Sequence, residues 1–147
     1  PLDTSSVGEH AFTVEARDAA GNTASVTHTY RVVYPFDGFL QPIAMDATNV
    51  AKAGRAIPIK FSLGGDRGLG ILAGGVPSST PVACGGGAAN QVIEEAASAG
   101  QSGLSYAAGE DQYVYVWKTD KAWADSCRDL VLTLDDGTEH RVAFSFK

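Results

Sequence analysis

Residues 53–63 read Ala-Gly-Arg-Ala-Ile-Pro-Ile-Lys-Phe-Ser-Leu, and this stretch decides the fold class. Every second residue of its latter half is large and apolar, namely Ile57, Ile59, Phe61 and Leu63. Pro58, Lys60 and Ser62 alternate with them, which predicts a β-strand with one buried and one wet face. Pro58 offers no N–H to a neighbouring strand, so we expect an edge, a strand start or a bulge here.

The composition indicates an all-β protein. The chain has 147 residues, 17 of them glycine, with 19% charged residues and a formal net charge of −6. Short β-branched runs between Gly, Pro, Asn and Asp favour strands and turns. No basic stripe is present, which argues against binding to nucleic acid or anionic lipid. We also expect no membrane insertion, because no apolar run reaches spanning length.

An N-terminal β-hairpin is predicted from two alternating segments, residues 10–17 and 23–33. Between them lies Asp18-Ala-Ala-Gly-Asn22, in which Gly21 can adopt positive φ and Asp18 can cap the turn. An isolated hairpin is marginal in water and exposes unpaired edges. We therefore expect it to pack on its own domain or on a neighbouring chain.

Further strands are predicted towards the C-terminus. Residues 112–118 are apolar on both faces, which is typical of a central strand. Residues 130–134 and 140–146 alternate around Asp136-Gly137, a two-residue hairpin signal. The glycine-rich residues 64–75 lack the Gly-Lys-Ser/Thr of a phosphate loop and predict turns with a short apolar strand. Residues 92–99 suit a short helix or a strand equally well.

The two cysteines, Cys84 and Cys127, leave two interpretations open. In a cytosolic protein they would be reduced core thiols, whereas in a secreted β-rich chain they would form a disulfide. A zinc site is disfavoured, since the cysteines are far apart and no histidine lies at ligand spacing from either.

The N-terminal segment resembles the last two strands of a bacterial immunoglobulin-like repeat. The resemblance rests on Gly8-Glu-His-Ala-Phe-Thr-Val-Glu-Ala-Arg-Asp-Ala-Ala-Gly-Asn-Thr23, followed by Tyr30 and Val32. In that family the segment closes a sandwich whose earlier strands are absent here. The resemblance implies that residues 1–34 are the partial, terminal hairpin of such a repeat.

The remainder resembles the bacterial PxKF domain, which takes its name from Pro58-Ile59-Lys60-Phe61. Phe36-Asp-Gly-Phe-Leu-Gln-Pro42 precedes this motif, and Gln112-Tyr-Val-Tyr-Val-Trp-Lys118 and Cys127-Arg-Asp-Leu130 follow it. The resemblance covers nearly all of residues 36–147. It implies a position at the C-terminal end of a secreted, multidomain bacterial protein. The chain starts at Pro1 without a methionine, which leads us to expect a piece of a longer protein.

These resemblances define the expected architecture. We expect residues 35–147 to form an immunoglobulin-like antiparallel β-sandwich, with the N-terminal β-hairpin of residues 1–34 preceding it. The secreted or cell-surface setting favours a Cys84–Cys127 disulfide over reduced thiols. The two prolines and the aromatic residues Phe36 and Phe39 predict a docked junction between the two parts rather than a flexible linker.

Catalytic groups are not indicated, and we expect no enzyme activity. The three histidines lie in strand patterns at His10, His28 and His140. His140 follows Glu139, but neighbours on a strand point to opposite faces, so no catalytic triad is indicated. The acidic pairs at residues 94–95 and 135–136 fit solvated or turn positions better than a glycosidase site.

Four aromatic residues are candidate contacts for a glycan or a protein: Tyr113, Tyr115, Trp117 and Trp123. Exposed in a row along one strand, they would provide a stacking platform for sugar rings. The alternative is that the strand supplies core aromatics and that Trp123 covers the disulfide.

The sequence also contains one candidate residue for an isopeptide bond and two candidate calcium sites. Lys60 could form an isopeptide bond to an asparagine, but an ion pair fits its strand position better. The turns at residues 18–22 and 64–66 are candidate structural calcium sites, although neither has EF-hand spacing. No other cofactor or metal is expected.

The overall expectation is a non-catalytic accessory module that serves spacing, stability, surface attachment or assembly. The alternative is a carbohydrate-binding module that uses the aromatic residues of the 112–118 strand. Expected partners are other domains of the same polypeptide, neighbouring chains and cell-wall glycan.

Overall fold

The computed structural model describes residues 1–85, 94–95 and 103–147. These residues form ten β-strands and one turn of 3-10 helix at Lys121–Trp123. The strands are β1 (Gly8–Arg17), β2 (Thr23–Val32), β3 (Asn49–Ala51), β4 (Ala56–Phe61), β5 (Ser78–Val82), β6 (Glu94–Glu95), β7 (Leu104–Ala107), β8 (Gln112–Lys118), β9 (Cys127–Thr133) and β10 (Glu139–Phe146). The predicted all-β class is confirmed.

The predicted N-terminal hairpin is confirmed as an antiparallel pair of β1 and β2, called here the N-terminal ribbon. Its register runs without a break from Gly8 opposite Val32 to Arg17 opposite Thr23. The Asp18 carboxylate accepts hydrogen bonds from the N–H groups of Ala20 and Asn22, at 2.9 and 2.8 Å. Gly21 has φ of 88°, as the turn requires.

The other eight strands form two sheets that pack face to face. One sheet has the order β4-β8-β7 and the other β3-β10-β9-β5-β6. The Trp117 ring from β8 meets Phe144 and Phe146 of β10 edge to face, with centroids 5.3 and 5.8 Å apart. The result is a β-sandwich of the immunoglobulin-like kind. One departure is β3, which pairs parallel to β10.

The stretch at residues 53–63 lies where its alternation predicts. β4 is at the edge of its sheet, and its apolar residues are the buried ones: Ile57, Ile59, Phe61 and, just beyond the strand, Leu63. Pro58 faces Val116 across the ladder, and Lys60 faces Val114 on the same half-exposed side. The edge position accommodates the missing N–H of Pro58.

The central position predicted for residues 112–118 is confirmed, since β8 lies between β4 and β7. The inward-facing rings of Tyr113, Tyr115 and Trp117 are fully buried. Val114 and Val116 on the opposite face are half-buried. The inward face is apolar because it supplies the largest side chains of the core, and the valines of the outward face are partly covered.

The C-terminal hairpin is confirmed, but its turn is longer than Asp136-Gly137 predicts. Leu134 donates its N–H to the Thr138 carbonyl at 2.9 Å, which leaves residues 135–137 as a three-residue turn. Gly137 occupies the positive-φ position with φ of 86°. Three-residue hairpin turns commonly end in a residue at positive φ, as here. Asp135 of this turn donates its N–H to the Ile71 carbonyl of a neighbouring loop at 2.8 Å.

The disulfide between Cys84 and Cys127 is present, with a Cα–Cα distance of 5.2 Å. Cys127 begins β9 and faces Val82, the last residue of β5, so the bond joins two adjacent strands at their ends. It closes a sequence separation of 43 residues. The bond therefore encloses β6, β7 and β8 in one covalent loop.

Two weaker sequence assignments have different outcomes. In the glycine-rich segment, Leu72 forms an isolated bridge with Leu134 and Ile71 is buried, whereas Leu69 is 59% exposed. Of residues 92–99, only Glu94 and Glu95 belong to the described part, where they pair as a strand with Ser79 and Ser78. The rest of that assignment lies outside the described residues. No helix among the residues described is long and apolar enough to cross a membrane.

Replacing both cysteines, in the variant C84A/C127A, is expected to lower the free energy of unfolding by roughly 2–4 kcal/mol through lost cross-linking of the unfolded chain. Urea titrations followed by tryptophan fluorescence measure the difference. A reducing agent should destabilise the parent chain and leave the double variant unchanged. Equal stability of the two proteins would contradict the stabilising role.

Candidate functional site

Each of the three histidines stacks on an aromatic ring. His10 stacks on Tyr30 and His28 on Phe12, both within the N-terminal ribbon. His140 lies on β10, where its ring stacks on Phe36 with centroids 3.7 Å apart. Across residues 1–85 and 103–147, with the backbone of 94–95, no group of three or more His, Cys, Asp or Glu side chains could hold a metal ion.

The aromatic residues proposed as glycan or protein contacts do not form a platform. Tyr113, Tyr115 and Trp117 are each 0% exposed, so no ring face is open to a sugar. The interpretation as a contact surface is wrong for these three residues. The large face of β8 packs against the other sheet, where Trp117 meets Phe144 and Phe146.

Trp123 is half-buried beside the same core. It packs against Trp117 and Phe146, with centroids 5.7 Å from each. The guanidinium carbon of Arg128 lies 4.1 Å from the ring centroid, a cation–π arrangement. Arg128 is itself 4% exposed and donates to the Ser79 hydroxyl. These contacts with Trp117, Phe146 and Arg128 give Trp123 a structural role.

Lys60 occupies the outer face of β4. Its cross-strand neighbour is Val114, which cannot form an isopeptide bond. The main-chain carbonyl of Lys60 accepts a hydrogen bond from the Leu40 N–H at 2.8 Å. Residue 60 therefore joins the preceding segment to the sheet through its backbone.

The acidic turn at residues 135–136 anchors the chain that follows the ribbon. Asp136 is 2% exposed, and its Oδ2 accepts the N–H of Tyr34 at 2.7 Å. Its Oδ1 accepts the N–H and the hydroxyl of Thr138, at 2.8 and 2.6 Å. Every hydrogen bond named here is internal, so this carboxylate organises structure. The side chains of Glu94 and Glu95 lie outside the described residues.

Residues 34–40, called here the junction, connect the ribbon to the sandwich through aromatic contacts. Phe36 lies on His140 and meets Phe39 edge to face at 5.3 Å. Phe39 is 6% exposed and bridges to Phe61 of β4. The docked junction predicted from Phe36 and Phe39 is confirmed.

The end of β2 also approaches the anchoring turn. A Cβ added to Gly137 would lie 3.2 Å from Nη1 of Arg31, so the guanidinium occupies the space beside this glycine. Arg31 also forms an ion pair with Glu9 of β1 at 3.7 Å. The base of the ribbon is thereby held against the turn of the C-terminal hairpin, whereas side chains from residue 11 to residue 29 are exposed.

The electrostatics of the junction follow from its burial. Burial alone would raise the pKa of Asp136, but hydrogen bonds from Thr138 and Tyr34 outweigh it and lower the pKa below its ordinary value. Burial lowers the pKa of His140, against a smaller opposing effect of Asp136. Burial and a hydrogen bond to Asp135 raise the pKa of Tyr34 to about 12. A negative Asp136 beside neutral His140 and Tyr34 is the stable arrangement at neutral pH.

A second polar cluster orders the glycine-rich loop. The Tyr113 hydroxyl accepts the Arg67 N–H at 2.6 Å and donates to the Gly68 carbonyl at 3.0 Å. Asp111 accepts hydrogen bonds from the Tyr106 hydroxyl and the Gly65 N–H, at 2.8 and 2.9 Å. These acceptors fix the loop against the ends of β7 and β8.

The candidate calcium turns have internal partners for their carboxylates. Asp18 binds the N–H groups of its own turn and the side chain of Asn22 at 2.8 Å. Hydrogen bonds from Asn22 lower the pKa of Asp18. Asp66 accepts the Gly68 N–H at 2.8 Å. Calcium at either turn stays a prediction.

No protein-family model and no curated protein matches the chain. The resemblances to a PxKF domain and to an immunoglobulin-like repeat therefore stay predictions from motifs. The β-sandwich does not rest on these resemblances, because its two sheets and its disulfide are observed in the structure.

The anchoring role of Asp136 could not be found from the sequence. Its partner Tyr34 lies 102 positions away, and the local pattern Asp-Gly signals only a turn. The spacing of Asp136 and Thr138 does indicate a side-chain cap, since Asp side chains often accept the N–H two residues on.

Replacing Asp136 with Asn is expected to destabilise the chain by roughly 1–3 kcal/mol, because the amide removes one of two buried acceptor atoms. The side-chain pKa is lowered in the folded state, so the carboxylate stabilises the fold above the ordinary Asp range and this contribution is lost as pH falls through the folded pKa. Urea titrations between about pH 2 and pH 7 measure both effects.

Asp135→Asn is the matched control, since Asp135 is exposed and lies in the same turn. The acid-dependent loss of stability should shrink in Asp136→Asn and persist largely in Asp135→Asn. Identical pH profiles for the two variants would contradict the anchoring role.

Replacing Tyr113 with Phe is expected to destabilise the chain by roughly 0.5–1.5 kcal/mol, because the glycine-rich loop loses its hydroxyl partner. Tyr106→Phe removes a hydroxyl from the neighbouring strand and should have a smaller effect, since that hydroxyl binds an exposed carboxylate. Hydrogen exchange of the Arg67 amide tests the local effect. Unchanged exchange in Tyr113→Phe would show that the hydroxyl does not hold the loop.

Proposed function

We propose that this chain is a non-catalytic accessory module at the C-terminal end of a secreted or cell-surface multidomain bacterial protein. In this role the sandwich is a stable terminal domain, and the junction sets the direction of the ribbon relative to the sandwich. A role in spacing or assembly uses such a fixed geometry, and a role in stability or surface attachment is compatible with it. The motifs shared with PxKF domains and immunoglobulin-like repeats support this setting.

The observation that carries the proposal is the junction. A flexible connection between two parts of a chain is polar and rich in Gly and Ser. Residues 34–40 instead place Phe36 on His140 and bury Phe39 beside Phe61. The Tyr34 N–H is bound to the buried Asp136. Such a connection transmits orientation, which a spacer needs and an independent pair of domains does not.

The use of the acidic side chains also supports a structural role. Asp18, Asp111 and Asp136 each accept backbone N–H groups from the loops around them. A carboxylate that works as a general acid or base must reach a substrate proton. Here these side chains satisfy turn and loop donors instead.

The disulfide supports a secreted or surface setting, since such bonds persist mainly in oxidising compartments. It joins β5 to β9 at the end of the sandwich and would resist unfolding outside the cell. The aromatic rings of β8 form the core of the sandwich, so they are not accessible to a glycan.

Spin labels at Ser25→Cys in the ribbon and Lys118→Cys in β8 test the fixed geometry, since both positions are exposed. In dilute solution, pulsed dipolar spectroscopy is expected to give one narrow distance distribution. Adding Phe36→Ala should broaden it, because the stacking on His140 is lost.

Phe12→Ala is the matched control, since it removes a phenylalanine ring from the body of the ribbon rather than from the junction. It should leave the distribution narrow. A broad distribution in the chain with an intact junction would contradict the proposed role as a fixed spacer.

A further inference from the structure

A hydrogen-bonded chain of three side chains lies where the junction meets the turn of the C-terminal hairpin. The Thr138 hydroxyl lies 2.6 Å from Oδ1 of Asp136 and 3.1 Å from Nε2 of His140. An ionised carboxylate only accepts hydrogen bonds, so the hydroxyl gives its single hydrogen to Asp136. Thr138 can then only accept from His140, which requires a hydrogen on Nε2. Neutral His140 is therefore the Nε2–H tautomer, and its Nδ1 carries no hydrogen.

Nδ1 of His140 is the atom at which this chain of side chains takes up a proton in mild acid. Within the described part of the protein, Nδ1 has no hydrogen-bond partner. Histidine ordinarily titrates at about pH 6.5 and aspartate at about pH 3.9. Although burial opposes them, hydrogen bonds from Thr138 and Tyr34 lower the pKa of Asp136 further. Mild acid therefore places a positive charge on His140 while Asp136 is still ionised.

The surroundings of the His140 ring favour its neutral form. One face of the ring stacks on Phe36, with centroids 3.7 Å apart and an angle of 20° between the planes. Leu132 faces His140 across the ladder of β9 and β10, and Phe36 continues to Phe61 at 5.9 Å. Covering a charged ring with apolar groups removes water that would stabilise the charge. Burial accordingly lowers the pKa of His140 below its ordinary value of 6.5, against a smaller opposing effect of Asp136.

The charged and titratable groups near this ring leave Asp136 as the counter-charge linked to it. They are Asp135 and Asp136 in the turn, Tyr34 and Asp37 in the junction, Glu9 and Arg31 at the base of the ribbon, and Glu139 and Arg141 on either side of His140. Glu139 and Arg141 bind each other at 2.6 Å. Arg31 lies beside Gly137 and has the same sign as an imidazolium. Asp136 reaches the ring through Thr138 rather than by direct contact, so its attraction offsets only part of the lost hydration.

We propose that His140 is an acid-sensitive contact of the junction: protonation at Nδ1 moves its ring from the stack on Phe36 into water and loosens the attachment of the ribbon to the sandwich. The inference rests on the proposed function, because it concerns regulation of the same fixed geometry. The orientation of the ribbon is held at neutral pH and released in mild acid. The step is reversible, since the proton comes from the solvent and returns to it.

The sign of the pH effect follows from the linkage between protonation and conformation. Because the pKa of His140 is lowered in the folded chain, an unstacked and hydrated ring binds a proton more readily than the stacked ring. The stacked arrangement is therefore favoured fully above about pH 6.5 and is lost as the pH falls through the pKa of the folded state. In that window the ratio of stacked to unstacked rings falls by up to about tenfold for each pH unit. A dominant cation–π contact with Phe36 would have the opposite sign and would hold the junction more tightly in acid.

Nitrogen-15 NMR of the intact chain tests the protonation of His140 directly, with its signals assigned by their absence from the variant His140→Phe. At about pH 7.5 the hydrogen is expected on Nε2, with Nδ1 unprotonated. The titration midpoint of His140 is expected below about pH 6.5, because the stacked ring resists the charge. A hydrogen on Nδ1 at neutral pH, or a midpoint at or above the ordinary histidine value, would overturn the inference.

The spin-label pair at Ser25→Cys and Lys118→Cys tests the loosening of the junction. The narrow distance distribution expected at about pH 7.5 should broaden at about pH 5 and narrow again on neutralisation. His140→Phe keeps an aromatic ring for Phe36 but cannot take up a proton, so its distribution should stay narrow at both pH values. His28→Phe is the matched control, because His28 is an exposed histidine of the ribbon that also stacks on a phenylalanine. It should leave the broadening in acid unchanged.

The results separate this inference from the proposed function. A parent chain that is already broad at neutral pH would contradict the fixed spacer and the inference with it. A parent chain that stays narrow in acid would leave the fixed spacer intact and overturn the inference alone. Broadening that persists in His140→Phe, or disappears in His28→Phe, would assign the acid sensitivity to another group. Circular dichroism at both pH values checks that the β-structure is kept, and the NMR titration of the parent chain decides the matter if His140→Phe does not fold.

Discussion

The contact between the inner faces of β8 and β10 is the interaction on which the rest of the structure depends. Trp117 reaches from one sheet to Phe144 and Phe146 of the other, and all three side chains are at most 2% exposed. Rings of this size supply much of the buried apolar area of a small sandwich. The same contact makes these rings inaccessible to a sugar, since a ring buried between two sheets cannot also stack on a ligand.

The junction extends this core towards the N-terminal ribbon. Phe61 lies beside Tyr113 in the core and beside Phe36 and Phe39 in the junction, so aromatic contacts run without a gap from β8 to residue 36. Asp136 adds a polar anchor at the same place. Because both the C-terminal hairpin turn and the ribbon depend on this carboxylate, the last and first parts of the chain share one source of stability.

Local patterns were sufficient for most of the fold. Alternation located β4 and β8, and the turn residues around Gly21 and Gly137 located both hairpins, because these signals lie within a few residues of what they determine. Contacts between residues far apart in the sequence could not be predicted from these local patterns. The parallel pairing of β3 and the anchoring of Tyr34 each depend on groups far along the chain. The alternation of β8 likewise could not show which face would meet the second sheet.

The base of the ribbon is fixed by the sandwich, whereas its outer length is held by its own contacts. That outer length is stabilised by the Asp18 turn and by pairs such as the Thr13 and Thr27 hydroxyls, which lie 2.8 Å apart. At the base, the Arg31 guanidinium lies beside Gly137, and the Tyr34 N–H is bound to Asp136. Ordering a segment costs conformational entropy, which these contacts offset at the point where the ribbon meets the sandwich. The anchored turn of the sandwich thus connects the stability of the core to the position of the ribbon.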